Sequence, residues 1–295
     1  MKREFVFIFL LLAVFLLGCA GNGKSGPESG KSKVVATIFP LYEFAREIGG
    51  ENANVSLLLP PGADAHSYEP KPSDIAKIGG ADIFIYAGDA LEPWAGGVLA
   101  GAGNKDVIVI DASRTANASA DPHFWLDFER DKKVADAIAK AFAGKDEKNA
   151  GYYEENAQRY SRVLDALDWE YSSSLANCNK STMLLSGHNA FSYLANNYGF
   201  EIVSTSGFSP EGEPTPKRMG ELFRRGREEG IKYVFYEPLE GGGDARAAAQ
   251  EIGGNILPLN PAASIISGEY EEETFILIME KNLVNLKEGL ECEMK

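Results

Sequence analysis

Histidine is scarce in this chain: three in 295 residues, His66, His123 and His188. Cysteine is equally scarce, at Cys19, Cys178 and Cys292. Neither Cys-x-x-Cys nor His-Glu-x-x-His occurs, which argues against a thiolate zinc knot and a zincin-type peptidase. No glycine-rich phosphate cradle is present, and Gly241-Gly242-Gly243 reads as a flexible helix entry. Positive charge is also short, with 29 Lys and Arg against 43 Asp and Glu, a net charge of −14. A body this acidic is a poor partner for nucleic acid or for an anionic lipid surface. The thirteen-residue apolar run Phe5–Leu17 would span about 20 Å as a helix, short of a hydrocarbon core of roughly 30 Å.

That run follows Met1-Lys2-Arg3 and ends in small residues, so residues 1–18 read as an export signal. Leu16-Leu17-Gly18-Cys19 resembles a prokaryotic lipobox, which implies cleavage before Cys19 and lipid attachment to its sulfur. The expected location is the outer face of the cytoplasmic membrane, with residues 19–33 as a Gly/Ser/Lys tether. With Cys19 lipidated, Cys178 and Cys292 remain as an even pair in an oxidising compartment. A disulfide between them is one reading and two separate buried thiols the other.

From Val34 onward short apolar runs alternate with helical patterns. The expected strands are Val34–Phe39, Asn54–Leu58, Asp82–Tyr86, Val107–Ile110, Thr182–Leu185, Glu201–Ser204, Tyr233–Tyr236 and Asn255–Leu257. Such alternation indicates parallel sheets covered by helices, an α/β fold. Between the two sets, apolar residues from Tyr153 to Leu167 recur at three- and four-residue steps within a helical stretch of roughly 26 residues, about 39 Å long. The expected organisation is therefore an N-terminal lobe, 34–148, a linking helix, 149–177, and a C-terminal lobe, 178–295.

Ligands of open parallel sheets bind beyond the carboxyl ends of the strands. His66, His123 and His188 each follow an expected strand, as do Glu237 and Asn260. Two lobes facing each other would bring all five into one cleft. Three imidazoles converging there suit zinc.

Four motifs occur in order: Pro-Gly-Ala-Asp-Ala-His-Ser-Tyr-Glu-Pro (61–70), Asp-Pro-His-Phe-Trp-Leu-Asp (121–127), Ser-Gly-His-Asn-Ala-Phe-Ser-Tyr-Leu (186–194) and Phe-Ser-Pro-Glu-Gly-Glu-Pro-Thr-Pro (208–216). Together they resemble the zinc/manganese solute-binding lipoproteins of ABC importers. The resemblance implies two α/β lobes joined by one rigid helix, and a metal site in the interlobe cleft. It also implies a monomer that carries Zn2+ as transported ligand to a membrane permease, and no enzyme. It gives metal-ligand roles to His66, His123 and His188, and places Cys178 and Cys292 in the same lobe.

Manganese members of that family tend to carry a carboxylate as third ligand, so His188 points to zinc rather than manganese or iron. Two acidic ligands of some relatives have no counterpart, since Ala65 precedes the first histidine and Leu259-Asn260-Pro261-Ala262 follows the last strand. The long His-rich loop of some zinc members is missing too. Water is the expected fourth ligand, with Glu237 and Asn260 as the protein alternatives. An aspartate at 260 would then supply the missing acid, unless Asn260 only shapes the turn before Pro261. A three-histidine hydrolase and an adhesin whose metal organises the fold are the rival readings.

Overall fold

The computed structural model describes residues 30–208, 215–266 and 273–293. Cys19, the signal and most of the tether lie outside the described residues, as does the middle of the fourth motif.

In the first half, β1 (Ser32–Ala36), α1 (Phe39–Gly49), β2 (Ala53–Leu57), α2 (Pro72–Gly79), β3 (Ile83–Tyr86), α3 (Ala95–Ala102) and β4 (Ile108–Asp111) follow one another. A short α4 (Ala112–Thr115) precedes two long helices, α5 (Phe128–Lys145) and α6 (Ala150–Leu175). In the second half come β5 (Thr182–Ser186), α7 (Ser192–Tyr198), β6 (Glu201–Ser204), α8 (Pro216–Glu228), β7 (Tyr233–Tyr236), α9 (Gly243–Ile252), β8 (Asn255–Pro258) and α10 (Phe275–Gly289).

Both sheets are parallel and four-stranded, in the orders β2-β1-β3-β4 and β6-β5-β7-β8. The two halves thus share one topology without sharing sequence. In each, the chain reverses its direction of travel across the sheet at the central strand pair, β1/β3 or β5/β7, which opens a crevice at the carboxyl ends there.

Local chemistry explains most boundaries. The run expected as a strand to Phe39 stops at Ala36, and Phe39 instead opens α1, with Pro40 in its first turn where a missing N–H costs nothing. Asp127 caps α5 by accepting the Arg130 N–H at 3.2 Å, and Thr274 caps α10 through the Leu277 N–H at 3.1 Å. Asp111 does the same for α4, whose four residues are too few for a periodic signal.

One apolar cluster runs through both halves: Ile83 and Ile85 of β3, Phe124 and Trp125, Tyr160 and Tyr171 of α6, Leu185 of β5, Phe235 of β7 and Phe275 of α10. Smaller clusters cover the other face of each sheet, around Phe84 and around Val234. The segment after β8 belongs to this shared packing. Phe39 donates its N–H to Ala263 O (3.1 Å), Gly62 to Ile265 O (2.7 Å), and the Trp125 indole to Pro261 O (2.7 Å). Residues 261–265 are a strap from the second half bonded to the first, and Ala262 holds φ at +60° within it.

The Cys178 and Cys292 sulfurs are joined, beside an isolated backbone bridge between the same two residues. The bond ties the entry of β5 to the end of α10.

One buried group works against the fold. Asp131 on α5 is fully buried and neither carboxylate oxygen has a hydrogen-bond partner. Burial, with the Asp127 charge adding to it, pushes its pKa well above the usual value. A raised carboxyl pKa means that the folded chain holds this proton more tightly than the unfolded one. The resulting penalty is absent below the unfolded value of about 3.9 and grows as pH rises toward the folded value. Asp131→Asn is therefore expected to stabilise the protein at neutral pH by at least about 1 kcal/mol, and progressively less on acidification. Urea unfolding of both proteins across that pH range checks it, and a gain that does not shrink in acid would rule the explanation out.

Candidate metal centre

Each expected residue lies past the carboxyl end of a strand. His66 follows β2, His123 follows β4, His188 follows β5, Glu237 follows β7 and Asn260 follows β8. Gly62–His66, His123, His188, Glu237, Leu239, Glu240, Asn260, Pro261, Ala263 and Ser264 line a single cavity between the halves. Its volume is about 130 Å³, room for about four waters and far below the roughly 300 Å³ of the smallest organic-ligand pockets. A hollow of this size suits an ion rather than an organic solute. Larger hollows elsewhere, of about 490 and 570 Å³, gather no histidine.

The three imidazoles form a triangle, with ring centroids 5.1 Å apart for His66–His123, 5.1 Å for His66–His188 and 5.3 Å for His123–His188. His66 Nε2 lies 3.2 Å from His123 Nε2. Two nitrogens bound at about 2.0–2.1 Å to one tetrahedral ion stand about 3.3 Å apart. His188 Nε2 is buried with no hydrogen-bond partner, a lone pair or proton that the folded chain itself does not satisfy.

Local turns hold each ring. Asp64 accepts the His66 backbone N–H at 2.9 Å and the Ser67 hydroxyl at 3.2 Å. At His123, Asp121 Oδ1 accepts both the backbone N–H (3.0 Å) and the Nδ1–H (2.8 Å), which turns Nε2 into the cavity. Trp125 packs edge-on against the same ring. His188 and Glu237 meet because β5 and β7 are neighbours in register, with Ser186 opposite Tyr236. Glu237 Oε1 is 3.3 Å and Glu240 Oε1 3.0 Å from His188 Nδ1.

Asn260 lines the cavity, but its Oδ1 accepts the Ala262 N–H at 2.9 Å, while Asn282 grips its backbone N–H and carbonyl. The side chain shapes the turn into the strap. Asp121 is one of the two aspartates that flank His123 in sequence, whereas Glu240 is no candidate there. Asp121 had a signal in Asp-Pro-His, two residues before the ring it holds. Glu240 had none, since only the β5/β7 pairing brings it to His188.

The charges are uneven. Burial, then the neighbouring His123 and His188, lower the His66 pKa to about 4. Burial also lowers that of His123, against the pull of Asp121. Burial disfavours the charged form of His188 as well, but the Glu240 hydrogen bond and the Glu237, Glu240 and Asp64 charges outweigh it and raise its pKa. Glu237 is raised to about 8 by burial.

The description "Zinc-uptake complex component A periplasmic" matches residues 34–289 of this chain. The zinc-binding lipoprotein AdcA of Streptococcus pneumoniae is 31% identical over 314 residues, spanning 99% of this chain and 62% of AdcA. This chain thus accounts for less than two thirds of that relative. The high-affinity zinc uptake system protein ZnuA of Bacillus subtilis is 29% identical over 316 residues, 98% of this chain and 99% of that protein. Among solved structures, the Zn(II)-bound ZnuA-like domain of S. pneumoniae AdcA superposes with a TM-score of 0.76 at 32% identity, over 88% of this chain and 99% of that one.

Proposed function

The chain belongs to the family of periplasmic zinc-uptake complex component A, and from that premise we propose that it captures Zn2+ between its lobes, 34–148 and 178–295, and delivers it to an ABC-type permease. The ligands are His66, His123 and His188 through Nε2. The observation that carries this reading is the triangle of imidazoles around a cavity too small for any organic solute. Three nitrogens favour zinc over manganese, which prefers oxygen. Water takes the fourth position, because the Asn260 oxygen is committed to its turn and both glutamates address the far nitrogen of His188. We further propose that lipid on Cys19 holds the protein at the outer face of the membrane and that it acts as a monomer. The family is one of uptake components, and no hydrolytic step is part of this reading.

Titration with zinc against a chelating competitor tests it, with one ion per chain and preference over manganese as the expected result. The same titration across pH gives a sharper outcome. Imidazole binds metal only when neutral. His66 and His123 already lack the proton near neutrality, whereas His188 keeps its proton to higher pH than an ordinary histidine. As pH falls below the ordinary histidine value of about 6.5, capture should displace the His188 proton, and while that proton alone is displaced affinity falls about tenfold per unit of acidification. Release of two protons would bring Glu237 in as the fourth ligand. A pH-independent affinity, or a three-proton slope, would contradict the assignment.

A further inference from the structure

Glu240 is, with Glu237, a carboxylate at the cavity that the proposed capture does not use as a ligand. It stands on the turn after β7, three residues past Glu237, and its side chain is about one third exposed at the mouth of the cavity (32%). Its Oε1 is 3.0 Å from His188 Nδ1. Its Oε2 occupies the space over Gly187, where a Cβ would meet it at 2.5 Å. Gly187 has φ +123°, a conformation open to glycine, and its N–H is fixed by Thr205 Oγ1 at 2.8 Å. One carboxylate therefore bonds the outer edge of the ring with one oxygen and fills the space beside Gly187 with the other.

A neutral imidazole carries one N–H. If the proton sits on Nε2, that nitrogen has no lone pair for a metal, so whatever binds Nδ1–H decides whether the ring is a ligand at all. At His123 this choice is made by Asp121 from the same loop. At His188 two acceptors compete. Glu237 Oε1 is buried, 3.3 Å away and without a hydrogen-bond partner, whereas Glu240 is nearer and bonded.

We propose that Glu240 is the positioning residue that keeps the His188 proton on Nδ1, so that Nε2 faces the ion and the site attains its full affinity. This rests on the reading of His188 as a ligand. Glu237, beneath it, stands 3.3 Å from the same nitrogen without making the bond. Glu240, Gly187 and His188 all belong to the second half, so the ring is set without help from the half that contributes His66 and His123.

The test uses the full chain, zinc as the probe, and three proteins: wild type, Glu240→Gln and Glu240→Ala. Loss of an outer hydrogen-bond partner of a metal-binding histidine costs roughly 10–100-fold in affinity, and Glu240→Ala is expected in that range. Glu240→Gln keeps an acceptor oxygen and should stay within a few-fold of wild type. The second readout is the nitrogen chemical shifts of His188 in the metal-free protein, at alkaline pH where the ring is neutral. Wild type and Glu240→Gln should show Nδ1–H, and Glu240→Ala a shift toward Nε2–H. Glu240→Ala with wild-type affinity overturns the proposal and gives the role to Glu237. Weakened binding with an unchanged tautomer overturns it too, since a merely structural role would do that. If wild type fails to bind zinc, the proposed function fails, while the metal-free tautomer still reports on Glu240.

Discussion

His123→Ala is expected to lower zinc affinity by more than a hundredfold while the metal-free chain still folds. Loss of an outer partner alone costs roughly 10–100-fold, and this substitution removes a donor nitrogen itself. His123 is also the most firmly held of the three. It is 1% exposed, bonded to Asp121 at 2.8 Å and packed edge-on against Trp125. Its ring therefore has little freedom to lose on binding. The fold should survive because Asp121 keeps the backbone N–H of residue 123 as a partner, although the small void and the lost ring bond should cost about 1–3 kcal/mol. Competition with a chelating dye measures the affinity, and thermal unfolding of the metal-free proteins the fold. His66→Ala and His188→Ala should behave alike. A variant of the three that kept wild-type affinity would make that histidine structural and dissolve the three-nitrogen site.

The second large effect is on stability. The Cys178–Cys292 bond spans 114 residues of sequence and closes nearly the whole second half into one loop. Restricting so long a loop in the unfolded chain stabilises the fold by at most about 4–5 kcal/mol in the chain-entropy account. Replacing both cysteines with alanine should remove much of this, seen as a lower denaturant midpoint. The native geometry should persist, because backbone hydrogen bonds from Asn179 to Glu291 and from Lys180 to Leu290 stitch the same ends together. Zinc affinity should change little, since neither cysteine lines the cavity. Non-reduced peptide mapping checks the bond itself, and two free thiols in exported protein would remove the basis of the prediction.

What the sequence made legible was local. Glu201–Ser204 and Tyr233–Tyr236 coincide with β6 and β7, the first around Ile202 and Val203 and the second wholly of β-branched and aromatic residues. Thr215 caps α8 as its position before Pro216 suggests. The three histidines stood out by rarity and by following strands. What escaped reading depends on partners far along the chain. Nothing near Ala263 announces that its carbonyl meets Phe39, more than two hundred residues away. In Glu-Pro-Leu-Glu the inner glutamate drew attention, yet the outer one makes the bond to His188. Asp131 looks like an ordinary charge in the first turn of a helix, and only packing by α1 and α6 makes it a burden. Asn260 was a candidate by position, but its turn, set by Asn282 from α10, could not be seen from the segment alone.

The strap of residues 261–265 has a thermodynamic corollary. Its three hydrogen bonds to the first half, together with an apolar cluster shared by both halves, fix the floor of the cavity before any ion arrives. Ordering that a hinged receptor would carry out on binding is here completed during folding, so capture draws on little new entropy from the chain. An ion held by polar atoms buries little apolar surface of its own, and its uptake should leave the heat capacity nearly unchanged. On the proposed ligand set, selectivity would reside in how costly it is for each hydrated cation to give up water for three fixed nitrogens.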